Sequence, residues 1–195
     1  IVRVRVENEA LFLDPGTRFC PFGMVAWQHT SVPALKLDRQ GGEFVAVPTP
    51  GADQTISRRT AEMKLSPEGW LQGEIILEFS GNEALQRRLD ALGAGEAMRR
   101  GELEDQLLNW LPAGATVRLI GAQGWEASEG PLVIRFHAEV PGFASATGKR
   151  ILVPASLFSS PQGELFGSVE RKFPVYFPFT FEELDNVTIH LPEGL

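Results

Sequence analysis

Cysteine is almost missing from this sequence. Cys20 is the only one in 195 residues, which rules out an internal disulfide and any metal site made of several thiolates. Lys and Arg form no dense run, and 18 basic against 25 acidic residues leave a net charge of -7. Nucleic acid is therefore not an expected partner. No apolar stretch nears the ~20 residues that a membrane-crossing helix needs, so no membrane span is expected. Also missing are a Gly-rich phosphate loop, a Gly-x-Ser-x-Gly elbow and a spaced cluster of carboxylates. His29, His137 and His190 lie at no metal-ligand spacing from one another or from Cys20. No cofactor is implied.

Apolar residues are there in quantity. With 43% hydrophobic and 22% charged residues, a chain of this length should bury roughly 70% of its extended surface without covalent staples. The opening Ile1-Val2-Arg3-Val4-Arg5-Val6 alternates like a strand and is not built like a signal peptide. No initiator Met precedes it, and the chain is read as a fragment of something longer. Breakers crowd the first 50 residues, among them Pro15, Gly16, Pro21, Gly23, Pro33, Gly41, Gly42, Pro48 and Pro50, which favours turn-linked extended chain. The polar tract Pro48-Thr49-Pro50-Gly51-Ala52-Asp53 divides the sequence into residues 1–50 and 51–195.

Beyond that boundary the period is two. Ala61, Met63 and Leu65 oppose Glu62 and Lys64, then Ser66-Pro67-Glu68-Gly69 supplies a type I turn, and Leu71, Gly73, Ile75, Leu77 and Phe79 return on the same face. At Ser80-Gly81-Asn82-Glu83 the period becomes helical, with a capping-box pattern followed by Leu85, Leu89 and Leu92. Leu103, Leu107, Trp110 and Leu111 mark a second helix that stops at Pro112. Arg87, Arg88, Arg99 and Arg100 are read as solvated faces of these helices. Strands resume over 117–120, 132–140, 151–153 and 187–191. The expected fold is mainly β with a minor helical part: an antiparallel β-sandwich carrying a two-helix insertion at about 82–111.

Candidate chemistry is sparse. Cys20 and His29 are the only local thiol and imidazole that could pair as nucleophile and base, yet Phe19-Cys20-Pro21-Phe22 is the apolar setting of a buried, inert thiol. His137 and His190 fall on the polar side of alternating strands. Glu182, Glu183 and Asp185 read as a solvated turn before the last strand. Phe173, Tyr176, Phe177, Phe179 and Phe181 read first as sandwich core and second as an apolar groove for a ligand.

Leu11-Phe12-Leu13-Asp14-Pro15, then Pro21-Phe22-Gly23-Met24, then Ala34-Leu35-Lys36-Leu37 resemble the end of the papain-like core in bacterial transglutaminase-like proteins. Gly69-Trp70-Leu71-Gln72-Gly73, Arg171-Lys172-Phe173-Pro174-Val175 and Ile189-His190-Leu191-Pro192-Glu193-Gly194 are similar to the uncharacterised β-rich region behind that core in multidomain, often exported members. The resemblance implies that Asp14 is the third member of a Cys-His-Asp triad, orienting an imidazole, with the Cys and the His upstream of this chain. Gly16 departs from the family, which has a small hydroxyl residue there.

Three functions follow as expectations. The first is a non-catalytic C-terminal β-sandwich module of a transglutaminase-like or cysteine-protease-like parent, periplasmic or extracellular, whose partner is the upstream core; the cytoplasm stays open. The second is an independent glycan- or peptide-binding module, favoured by an exposed strip including Trp27, Trp70 or Trp125. The third is an autonomous cysteine hydrolase using Cys20 and His29. The geometry of Asp14, Cys20 and His29 separates the first from the third. Convergence in a cleft means a self-contained hydrolase, whereas an exposed Asp14 with neither in reach means the tail of a larger enzyme.

Overall fold

The computed structural model describes every residue except 8, 40, 148–149, 160–169, 171–173 and 194–195. In chain order, β1 (Val2–Val6) and β2 (Glu9–Leu13) form one antiparallel hairpin, and β3 (Pro33–Asp38) and β4 (Gly41–Ala46) form a second. β5 (Ile56–Leu65) and β6 (Leu71–Phe79) follow, then the helices α1 (Gly81–Asp90) and α2 (Glu96–Trp110). The chain continues through β7 (Thr116–Gln123), β8 (Leu132–Val140), the short hairpin β9 (Ser145–Thr147) and β10 (Arg150–Leu152), and finally β11 (Glu182–His190). The protein is mainly β, with a two-helix insertion where the period of the sequence changes.

A five-stranded sheet in the order β11-β5-β6-β8-β7 is the centre of the fold. The β5–β6 hairpin closes at the expected turn: Gly69 N–H donates to Ser66 O at 3.0 Å, and Leu65 stands opposite Leu71. Gly69 takes φ +86°, and a Cβ there would sit 2.1 Å from Ala144 O, so only glycine fits. One pairing departs from the antiparallel expectation. β11 lies parallel to β5, from Glu182 opposite Ile56 to His190 opposite Lys64.

The period-2 pattern sorts the two faces. Ala61, Met63, Leu65, Leu71, Ile75, Leu77, Phe79, Leu132, Ile134, Phe136, Ala138 and Val140 line the apolar face and are buried, while Glu62, Lys64, Gln72, Glu74 and Arg135 stand on the exposed face. The layer over the apolar face is sandwich-like in position but mixed in make-up. It consists of Ala84 of α1, Leu103, Leu107 and Trp110 of α2, and Phe143, Ala144, Leu157 and Phe158, with Ile151 of β10 packed against them.

Four local expectations are corrected. Ser80 precedes α1 but caps nothing: its Oγ accepts the Ile56 N–H at 3.0 Å instead. Arg88 is fully buried rather than solvated, donating from Nε to Gly124 O (2.8 Å) and from Nη2 to Gly130 O (2.9 Å). Arg87 is also largely buried, paired with Glu83 and lying over the Phe79 ring. Glu182, Glu183 and Asp185 are not a turn; they begin β11, where Asp185 receives both Nε (2.6 Å) and Nη2 (2.9 Å) of the buried Arg59. That ion pair crosses the parallel β5–β11 junction and ties the last strand to the sheet.

Candidate functional site

Asp14 immediately follows β2, and the Pro15 that comes next suits the second position of a tight turn. That turn forms, with Thr17 N–H donating to Asp14 O at 3.3 Å. It folds Thr17 back so that its Oγ1 donates to Asp14 Oδ2 at 3.0 Å. The chain then passes Cys20 and enters a single 3-10 turn, Trp27–His29. Ala26, at the start of that turn, donates its N–H to the same Oδ2 at 3.3 Å, and His29 Nδ1 lies 2.8 Å from it. One carboxylate oxygen thus holds both the backbone entering the 3-10 turn and the imidazole that the turn carries.

Asp14 is 6% exposed. Burial alone would push its carboxyl up, but the hydrogen bonds from His29, Thr17 and Ala26 and the charge of His29 outweigh it and hold the carboxyl below its ordinary value. The His29 side chain is about half exposed. With Nδ1 committed to the carboxylate, Nε2 is the nitrogen left for another group.

Cys20 does not complete the set. Its Sγ donates to Met24 O at 3.4 Å, and the residue packs beside Met24, Ala26 and Leu85. Burial, with the charges of Asp14 and Glu129, pushes the thiol up to about 11, so it stays protonated near neutral pH. Asp14 and His29 therefore meet, whereas Cys20 faces a backbone carbonyl, and the outcome matches neither limb of the sequence expectation. The resemblance puts Asp14's imidazole upstream; within this chain the carboxylate holds His29. Among the described residues no three His, Cys, Asp or Glu side chains gather as metal ligands.

An aromatic surface adjoins this pair. Trp27 is anchored by its N–H on Asn82 Oδ1 (3.2 Å) and by Nε1 on Gln86 Oε1 (3.0 Å), and Tyr176 stands with its ring centroid 6.4 Å from that of Trp27. Tyr176 is 68% exposed, and Phe177 and Phe181 are exposed as well. The expectation that these aromatics fill the core is corrected: the described segment around them runs over the surface beside Pro50, to which Thr180 Oγ1 donates, and the sheet's apolar face is already covered. Phe173 lies outside the described residues, as do Arg171, Lys172 and Gly194 of the resemblance. Trp70 is exposed at the far hairpin turn and Trp125 is partly buried.

Sequence reasoning missed Trp27, Asn82, Gln86 and Tyr176 as neighbours. Asn82 Nδ2 is buried without a hydrogen-bond partner among the described residues, and no local pattern signals that. His137 lies 3.7 Å from Glu139, and His190 pairs with Glu62 on the exposed face; neither is near Asp14's partners. No protein-family model, curated protein or solved structure matches the chain.

Proposed function

We propose that this chain is a non-catalytic, β-rich accessory module of a transglutaminase-like parent. It docks on the papain-like core through residues 1–50. The observation that carries the reading is the contrast between the two parts of the structure. The sheet of β5 to β8 and β11 has a closed apolar core, whereas β1–β2 and β3–β4 are separate two-stranded sheets, a form that is marginal in water by itself. Several of their apolar side chains face out. Leu37 is 75% and Phe44 76% exposed, with Leu35, directly opposite Phe44, also open. A groove of about 700 Å³ runs between the hairpins, lined by Val2, Phe12, Leu35, Leu37 and Val45. Such a surface fits a partner that supplies the missing layer.

Asp14, buried, is already committed within the chain to His29. A carboxylate held ionised and hydrogen-bonded at a strand end is what an imidazole needs for a fixed tautomer. Substrate chemistry stays with the core, because Cys20 is held as a protonated thiol and bonded elsewhere. The test is binding of the whole chain to the separately expressed core of its parent. Wild type should bind, and Leu37→Asp and Phe44→Asp should weaken binding at least about tenfold while leaving the fold intact, since both side chains are exposed. Failure of the wild type to bind, or a parent whose preceding sequence holds no Cys-His pair, overturns the reading.

A second reading has its own observation. The Trp27–Tyr176 pair, with Gln28 and Gln86 beside it, is an aromatic platform with amide edges, as used to bind a sugar ring or a peptide. Saturable binding of oligosaccharides or peptides that Tyr176→Ala abolishes would favour it over docking.

A further inference from the structure

Arginines converge on the opposite side of α1 from Trp27's anchor. A cavity of about 190 Å³ opens between the loop after β2, the α1–α2 connection and the loop before β8, and Arg18, Arg88 and Arg99 line it. The walls between them are Phe19, Trp125 and the chain at Ala91–Ala94. Glu126 is the one carboxylate among the lining residues, and Glu129 acts on Arg88 electrostatically from nearby.

Two other cations that are wholly or largely buried are neutralised: Arg59 by Asp185 and Arg87 by Glu83. Among the described residues, Arg18, Arg88 and Arg99 have no carboxylate within ion-pair distance. Arg88 is 2% exposed and spends Nε and Nη2 on two backbone carbonyls, leaving Nη1 without a described partner. A buried guanidinium with no anion in direct contact is costly, and Glu129 acts on Arg88 without an ion-pair contact. Arg18 lies over the Phe19 ring at 4.8 Å and Arg99 over the Trp125 ring at 5.5 Å. Stacking fixes a guanidinium by its face and leaves its N–H edge to a ligand.

We propose that this cavity is a binding site for a small oxyanion group, a carboxylate or a phosphate, held by the N–H edges of Arg18 and Arg99 above the buried charge of Arg88. The planar guanidinium fork matches either group, and the cavity admits one such group rather than an extended polyanion. The site is separate from Asp14 and His29 and does not depend on the docking reading.

The test is titration of the whole chain with inorganic phosphate and, separately, with succinate, against chloride at equal ionic strength, followed by amide and arginine side-chain NMR. Saturable shifts should map to Arg18, Arg88, Arg99 and residues 91–94. Arg18→Gln and Arg99→Gln should each weaken binding about tenfold, and Glu126→Gln should tighten it, a result that a purely structural role for these residues does not produce. Arg58→Gln, on the far face of the sheet, should change nothing. Preference for phosphate or for succinate identifies which source of the anion the site suits. Shifts no larger than those with chloride, or equal affinity in wild type and both arginine variants, overturn the proposal.

Discussion

Asp14 gathers its neighbours by chemistry that short-range patterns only half reveal. That it ends a strand before a Pro turn is legible in Leu-Phe-Leu-Asp-Pro. That His29 returns to it is not, because the 15-residue excursion depends on a 3-10 turn whose entry is held by the same oxygen. Replacing Asp14 with Ala leaves the Ala26 N–H and the imidazole without their acceptor, and should cost about 2–4 kcal/mol in denaturant unfolding. The pH dependence has a definite sign. The folded-state carboxyl lies below its ordinary value of 3.8, so its contribution is complete above that value and is lost as pH falls through the folded pKa. The stability gap between wild type and Asp14→Asn should thus narrow as pH falls below about 4; a gap that still widens below that pH contradicts this. Cys20 carries the opposite sign. With a thiol near 11 against an ordinary 9.0, iodoacetamide should react on the order of 100-fold more slowly at pH 8 than with free cysteine. The rate should still climb past pH 10, and a plateau near pH 9 would show a thiolate the structure does not support.

At the scale of elements, periodicity carried far and turn chemistry less so. β5, β6, β8 and α2 stand where their apolar spacing puts them, since each buries one regular stripe. The start of α1 differs because Ser80 is taken by Ile56 of the neighbouring strand, a tertiary bond that a local capping pattern does not encode. Gly81 records the same constraint: it sits at φ +58°, and a Cβ there would lie 2.1 Å from Gln54 O and 2.7 Å from Thr55 Oγ1. Gly81→Ala should therefore destabilise by about 2–4 kcal/mol. Gly101, inside α2 with nothing within 4 Å of its would-be Cβ, should respond in the other direction, Gly101→Ala stabilising by about 0.5–1 kcal/mol. Thermal unfolding of the pair checks both signs at once. The exposed aromatics near Tyr176 were misread for a physical reason: density of Phe and Tyr signals burial only where a vacant apolar face remains, and the helices and the segment around Phe143 and Phe158 already fill it.

Over the whole molecule, one part closes its own core and the other does not. The sequence marks this as the difference between long alternating strands after residue 55 and breaker-rich short ones before it. It does not reveal which surfaces the early hairpins leave open, or that Met24, Ala26 and Trp27 anchor them on α1 through Leu85, Asn82 and Gln86. Stability should be graded along the chain, with the central sheet opening only on global unfolding and the hairpins opening locally. Amide hydrogen exchange measures this directly, on the whole chain alone and mixed with a papain-like core of the kind proposed above. Alone, β1 to β4 should exchange at least about 100-fold faster than β5, β6 and β8; with the core added, protection should rise in β1 to β4 and around Asp14 while the central sheet stays unchanged. Hairpins already as protected as the sheet, or no gain in protection there when the core is added, would contradict the claim that this part of the chain is built to dock.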